Sequence, residues 1–372
     1  MIRNHPAAIT RKLPSQRITL YEAVKGASYS HHPSLCFFNG YFYAMWSGGF
    51  VGEDEPGQRV LLTRSADGLH WEAPRVLVRP EEITYPEGVL TAGGFYVHGG
   101  VLTAYFGHYA YIDAANPVAT GDNYKDTFLG YLTTADGAHW STPVRTAVPV
   151  VPNHPPQATA SGRLILSGNI AFPYTDDPTG RDGWVMTGIY GDAFAGKTLR
   201  DDPDSIHMVT PANGWACTML CEGSFYETDD RVLHMLLRSC TDRLWVSESR
   251  DGGEHWSNPQ PTDFSNDSSK FHCGRLPDGR FYTVSSPCTD RRGSRCPLVL
   301  SLSADGEDFD EEYILRDEIY EMRFEGRWKG GIYGYPHTLL RDGYLYIIYS
   351  LRKEGVGLTR IALADIPAKT AQ

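Results

Sequence analysis

Histidine is scarce in this chain, 13 among 372 residues. Even so, His31, His32, His108, His154, His272 and His337 all stand at the ends of short apolar, strand-like runs. Imidazoles change charge near neutral pH and transfer protons readily. Set beside arginines and Tyr335, they suit β-elimination from a uronate. In that reaction Arg or His neutralises the carboxylate, His or Tyr removes the C5 proton, and Tyr protonates the leaving oxygen. Taken singly, each histidine reads as a hydrogen-bonded spacer; only their recurrence at equivalent places argues for a shared cavity. A second group, His272, Cys273, Cys288 and Cys296, falls within 25 residues, and Cys217 and Cys221 form a further pair. Zinc accepts such ligands, but neither group has C-x-x-C spacing. No metal and no other cofactor is therefore predicted. The chain has no G-x-G-x-x-G after a strand, no phosphate-binding loop and no G-x-S-x-G.

Residues so far apart in sequence can meet only if a repeated architecture gathers them. One phrase, a tight turn followed by a strand, recurs six times: NGYFYAMW from Asn39, HGGVLTAYF from His98, SGRLILSGN from Ser161, DDRVLHMLLR from Asp229, DGRFYTVSS from Asp278 and DGYLYIIYS from Asp342. A period of roughly fifty to seventy residues with several short strands per unit is the mark of a β-propeller. The predicted fold is all-β: one six-bladed propeller domain over 1–372, with blades of four antiparallel strands. The blades are placed at about 30–78, 91–143, 155–192, 218–258, 270–310 and 336–364. The leftover segment 17–23 is expected to complete the last blade and so remove an exposed edge. The stretches 109–126 and 199–215 are rich in polar residues and read as long surface loops, a common place for function.

Composition agrees with many turns and few helices. There are 38 glycines and 24 prolines, and the 41% hydrophobic share leaves ample material for a core. A formal net charge of -11 argues against nucleic acid or an anionic membrane as partner. The N-terminal residues lack an apolar signal-like run, and no stretch is long and apolar enough to span a membrane. Seven cysteines without regular pairing fit reduced thiols, so the expected compartment is the cytoplasm. Oligomeric state is left open.

Inside four blades lies a second repeat, Ser/Thr-x-Asp-Gly followed by an aromatic residue. It reads SADGLHW at Ser65–Trp71, TADGAHW at Thr134–Trp140, SRDGGEHW at Ser249–Trp256 and SADGEDF at Ser303–Phe309. The carboxylate is expected to accept backbone N–H bonds, glycine to take the positive φ, and the aromatic ring to pack between blades. These turns resemble the Asp-box of the sialidase superfamily, S-x-D-x-G-x-x-W, although only Ser249–Trp256 matches at full length. Their role is expected to be architectural.

The resemblance implies a retaining glycosidase whose nucleophile is a tyrosine, a departure from the usual carboxylate. In that family three arginines bind the substrate carboxylate, a Glu supports the Tyr, and an Asp is the acid/base. Segment CEGSFYETDDRVLHMLLRS is similar to the family's Glu strand followed by Arg, which implies Glu222 and Arg238. SRCPLVLSLSADG implies Arg295, with Arg291 and Arg292 as competitors. GYPHTLLRDG implies Tyr335, in competition with Tyr333 and Tyr344. GEDEPGQRVLLTRSADG implies Asp54, beside Glu53, Glu55 and Asp67. The family's first arginine is replaced by His31, an imidazole that cannot offer a permanent two-pronged grip. The implied catalytic set is Tyr335, Glu222 and Asp54. The predicted substrate-binding set joins Arg238, Arg295 and His31, at the positions the resemblance implies, to His32, His154, His337, His108, His272 and Arg59. The expected partner is a glycan bearing a terminal, acidic sugar. A lyase acting on uronates and a non-catalytic glycan-binding propeller are the alternatives.

Overall fold

In the computed structural model, residues 1–6, 9–113, 115, 124–189 and 220–368 are described. Each blade follows from the same local logic: a strand of alternating character, a tight turn, and a return strand that pairs antiparallel. Blade one comprises Tyr29–Phe38, Tyr41–Gly49, Arg59–Ser65 and Arg75–Val78, hydrogen-bonded in that order. The next sheet comprises Val89–His98, Val101–Tyr111, Tyr124–Thr134 and Val144–Arg145. Strands therefore replace both ends of the loop expected over 109–126. The loop expected over 199–215 lies outside the described residues, as does Cys217.

Blade four holds Cys221–Glu227, Leu233–Arg238, Arg243–Ser249 and Gln260–Ser265. Blade five holds His272–Arg275, Phe281–Ser285, Leu298–Ser303 and Glu311–Arg316. The last blade holds Tyr333–Arg341, Tyr344–Leu351 and Gly355–Ala362. Gln16–Tyr21 pairs antiparallel with Gly355–Ala362 as the fourth strand of that sheet, which joins the two ends of the chain. Arg3–Asn4 runs parallel between Gln260–Ser265 and Asp308–Phe309 and stitches blade four to its neighbour.

The expectation of six four-stranded blades is corrected to five. Among the described residues of the sector between the second sheet and blade four, the named strands are Gln157–Ala158, Leu164–Ile165 and Tyr174–Thr175, a sheet of three two-residue strands. Pro152, Pro155, Pro156, Pro173 and Pro178 crowd this stretch, and proline donates no ladder hydrogen bond. Backbone contacts there continue as isolated bridges, Ala171 with Gly188 and Tyr174 with Val185. The sector still fills its wedge. Ile165, Leu166, Ile170 and Phe172 are fully buried against Trp245 and Trp256.

The Asp-box turns hold the outer edges. Asp67 Oδ1 accepts the N–H groups of Leu69 and His70, each at 2.8 Å, and Gly68 takes φ 72°. Asp136, Asp251 and Asp305 repeat the pattern. The aromatic residues turn inward, with Phe309 fully buried and Trp256 edge-on to Phe172 at 5.1 Å. No Asp-box residue lines the central cavity described below.

Candidate active site

Three inner strands share one irregularity. Pairing slips between His31 and Ser34, between Cys221 and Ser224, and between Gly334 and His337. At each slip a residue with a side chain adopts a positive φ: His32 at 54°, Glu222 at 52° and Tyr335 at 53°. A bulge breaks the in–out alternation and re-aims one side chain, here toward the propeller axis. Each such backbone costs about 1–3 kcal/mol, a strain concentrated at functional sites. Asp54 (57°) and Arg295 (51°), both on connections, carry the same strain.

The three strands bring Tyr335, Glu222 and Arg238 into direct contact. Tyr335 Oη donates a short hydrogen bond to Glu222. Arg238 Nη1 donates to Glu222 Oε2 at 2.7 Å and to Tyr335 Oη at 3.1 Å. Burial pushes the Glu222 carboxyl up, but the Arg238 charge and the hydrogen bonds from Arg238 and Tyr335 outweigh it and hold the group at about 2. Burial and the Glu222 charge push the Tyr335 phenol well above its ordinary value. At rest, the negative charge sits on Glu222 and the proton on Tyr335.

These groups form one wall of a cavity of about 240 Å³, lined also by His32, Glu53, Asp54, Tyr109, Tyr124 and Asn153. Ligand pockets of roughly 300–1,000 Å³ take drug-sized molecules, so this one suits a single sugar ring. Asp54 lines the same cavity and is hydrogen-bonded to Tyr109. Burial and the neighbouring Glu53 charge raise its carboxyl to about 7. Glu53 itself is tied to the buried Lys353 by a short ion pair and accepts from Tyr29 Oη at 3.3 Å. Of the acidic residues that competed in the sequence, Glu53 is thus paired and Asp67 is locked in its Asp-box.

The remaining candidates sort by depth. His31 is fully buried behind Tyr335, ring centroids 3.8 Å apart, and binds Ser350 Oγ at 2.7 Å. Arg295 lies 6.0 Å from the Tyr335 ring and donates to Ser268 O at 3.1 Å. His154, His272 and His337 cluster deeper, with His272 centroids 4.8 and 4.6 Å from the other two. Burial, reinforced by the nearby Lys270 charge, holds all three below their ordinary range, so they are neutral.

His108 and Arg59 fall outside the cavity lining. His108 binds Thr84 Oγ1 at 2.8 Å and stacks on Phe128, and Arg59 lies 4.6 Å over Phe50. In both cases a strand-end position that resembles the inner set points instead to a packing contact between strands. The cysteines of the zinc-like group bind separate partners: Cys273 meets Thr283 Oγ1, Cys288 donates to Asn266 O and Cys296 to Asp317 O. Among the described residues, the one group with metal-like convergence is His31, His32 and Glu53. Lys353 on Glu53, with Arg295 and Lys270 close by, opposes a dication there.

Two site residues escaped the sequence reading, and Glu53 enters it only as a competitor of Asp54. Lys353 gave no usable signal, since it sits in RKEG, which reads as an ordinary exposed turn. Lys270 gave one: it precedes His272 by two residues, and a strand's period of two puts both on one face.

Bladed antiparallel sheets around a polar axial cavity define a β-propeller of the sialidase-like type. The sequence pattern of the BNR repeat-like domain matches residues 40–347, and the chain belongs to that family. Among solved structures, a sialidase superposes with TM-score 0.68 at 19% identity, over 97% of this chain and 35% of that one. A Dyadobacter fermentans protein of unknown function gives 0.66 at 14% identity, covering 93% of this chain and 98% of its own. The Trypanosoma rangeli sialidase in complex with the inhibitor DANA gives 0.65 at 13%, over 94% of this chain and 60% of that one. The chain thus spans about a third and about three-fifths of the two sialidases. At these identities the likeness is one of fold. No curated protein sequence matches the chain.

Proposed function

We propose that the protein is a retaining glycosidase of the sialidase type that removes a terminal acidic sugar from a glycan. The observation that carries this reading is the Tyr335–Glu222–Arg238 contact on the wall of a sugar-sized cavity that Asp54 also lines. Glu222 takes the Tyr335 proton as Tyr335 Oη bonds to the anomeric carbon. The glycosidic C–O bond breaks, and Asp54 gives its proton to the leaving oxygen. Asp54 then takes a proton from water, which attacks the anomeric carbon, and the Tyr335 oxygen departs and recovers its proton from Glu222. An acid/base near 7 suits both halves. Arg238 and Lys353 are paired with Glu222 and Glu53, and Arg295, bonded to a backbone carbonyl, leaves positive charge for an anionic substituent.

The test is turnover of aryl glycosides of sialic acid, uronic acids and rhamnose. Release of the aryl group with retained anomeric configuration supports the reading, and no turnover of any of them sinks it. A second reading, β-elimination from a uronate, draws on His32. It lies on the cavity wall, 4.9 Å from the Tyr335 ring, and burial with the Lys270 charge keeps it neutral, with a ring nitrogen free of a proton. An unsaturated product with its ultraviolet absorbance would select that reading.

A further inference from the structure

The Tyr335 ring has three cations near it, and they are not equivalent. Lys353 Nζ, 6.0 Å from the ring centroid, is neutralised by Glu53. Arg295 Cζ, also at 6.0 Å, donates to the Ser268 carbonyl and presents its backbone N–H to Asp267. Lys270 Nζ is nearest, at 5.1 Å. Its residue is only 3% exposed, its ammonium donates to the backbone carbonyl of Asn153, and among the described residues no carboxylate pairs with it. A buried ammonium without a counter-ion costs several kcal/mol unless another interaction offsets it. Three neutral histidines stand on its other side, and they supply no negative charge.

We propose that Lys270 is a positioning residue for Tyr335: among the described residues its ammonium has no direct ion pair at rest, and it faces the ring that takes on negative charge when the phenol gives its proton to Glu222. Resting on the glycosidase reading above, the argument is about where one negative charge sits. Before transfer it is on Glu222, gripped by Arg238. Afterwards Glu222 is neutral and the charge spreads over the phenolate, whose oxygen keeps its Arg238 contact and whose ring has the Lys270 ammonium 5.1 Å from its centroid. An interaction stronger after the transfer than before it lowers the barrier rather than tightening ground-state binding. The lysine is therefore stored charge, held against a ring that becomes anionic during reaction.

The groups facing Lys270 are Glu222 from blade four, His154 from the irregular sector, His272 from blade five, His337 and Tyr335 from the last blade, and His31 and His32 from blade one. Glu222 is the one anion that acts on it. Two measurements test the proposal. In the first, lysine side chains of the full chain are labelled and titrated by NMR, and the Lys270 signal is assigned by its absence in Lys270→Arg. Glu222→Gln should shift the Lys270 midpoint down by roughly one unit. An unchanged midpoint overturns the coupling, whatever the enzyme's substrate. In the second, Lys270→Met should lower kcat about 30-fold with KM unchanged, the equivalent of ~2 kcal/mol for a desolvated cation–π contact. Lys270→Arg should restore most of it. A rise in KM alone, or full activity in Lys270→Met, overturns the positioning role while leaving the glycosidase reading intact. If no glycoside is turned over by the unmodified protein, that reading fails, and the NMR titration still decides the lysine's coupling.

Discussion

The Asp-box turns and the inner-strand bulges solve the same backbone problem with opposite means. Both require a positive φ in every copy. The turns give it to glycine, with Gly68 at 72°, Gly137 at 77°, Gly253 at 91° and Gly306 at 83°. On three inner strands the bulges give it to His32, Glu222 and Tyr335, which carry the conformation as strain, while the slip on Val89–His98 gives it to Gly94. The turns are also nearly interchangeable, each with an exposed carboxylate on two backbone N–H groups. The three strained bulges are all different, each presenting another kind of side chain to one axis. Repetition marks what the fold needs, and departure from it at equivalent places marks what the cavity needs.

The largest effect expected from breaking this contrast is at the bulges. Tyr335→Phe removes the nucleophilic oxygen, and Glu222→Gln removes both the proton acceptor and the partner of Arg238. Each should cut kcat by roughly 10³-fold or more on a substrate the unmodified protein turns over. Thermal unfolding run alongside will show whether Glu222→Gln also leaves Arg238 as a buried, uncompensated charge, which is strongly destabilising.

Next comes Asp54. As the acid it must hold a proton, so kcat/KM should fall as pH rises through about 7, where burial and Glu53 place its carboxyl. Asp54→Asn should abolish that alkaline limb and lower activity about 10²- to 10⁴-fold. The loss should be smallest for aryl leaving groups that need no protonation. A limb that survives in Asp54→Asn assigns the acid to another group.

How much of this could be read from residues alone follows from the same contrast. The repeated turns announced the propeller because identical local physics leaves identical letters. That Tyr335, Glu222, Arg238 and Asp54 line one cavity was reachable because each sits in a segment similar to a known family. The pairing of Lys353 with Glu53 was not, since it joins a turn inside the last blade, between Tyr344–Leu351 and Gly355–Ala362, to a loop of the first, 300 residues apart. The irregular sector was overread for a related reason. SGRLILSGN carries the strand pattern, but among the prolines around it the paired run is only Leu164–Ile165, between two equally short partners.

Lys270 gives a test of smaller reach, through stability. Burial lowers its ammonium from 10.5 to about 8, opposed by Glu222. Between those values the unfolded chain binds the proton and the folded chain does not, so folding stability rises with pH across that window. The shift corresponds to roughly 3 kcal/mol. Measured as a difference, unfolding free energy should rise between pH 8 and 10.5 more steeply in the unmodified protein than in Lys270→Met. Parallel curves would mean that the ammonium reaches solvent or a counter-ion.

The smallest effect belongs to the turns, and Gly253 is the place to look. Its φ of 91° is strained for any residue with a side chain, and a Cβ there would approach Ile165 Cδ1 to 2.8 Å. Ile165 is fully buried in the irregular sector, so the clash falls on the part of the ring with the fewest paired strands. Gly253→Ala should cost about 1–2 kcal/mol. Spread over a chain this long, that lowers Tm by only a few degrees. Because the turn lies outside the cavity lining, kcat and KM below the unfolding transition should be unchanged. A drop in kcat without a drop in Tm would show that strain at the rim reaches the axis, and the separation between repeated scaffold and individual bulges would then be false.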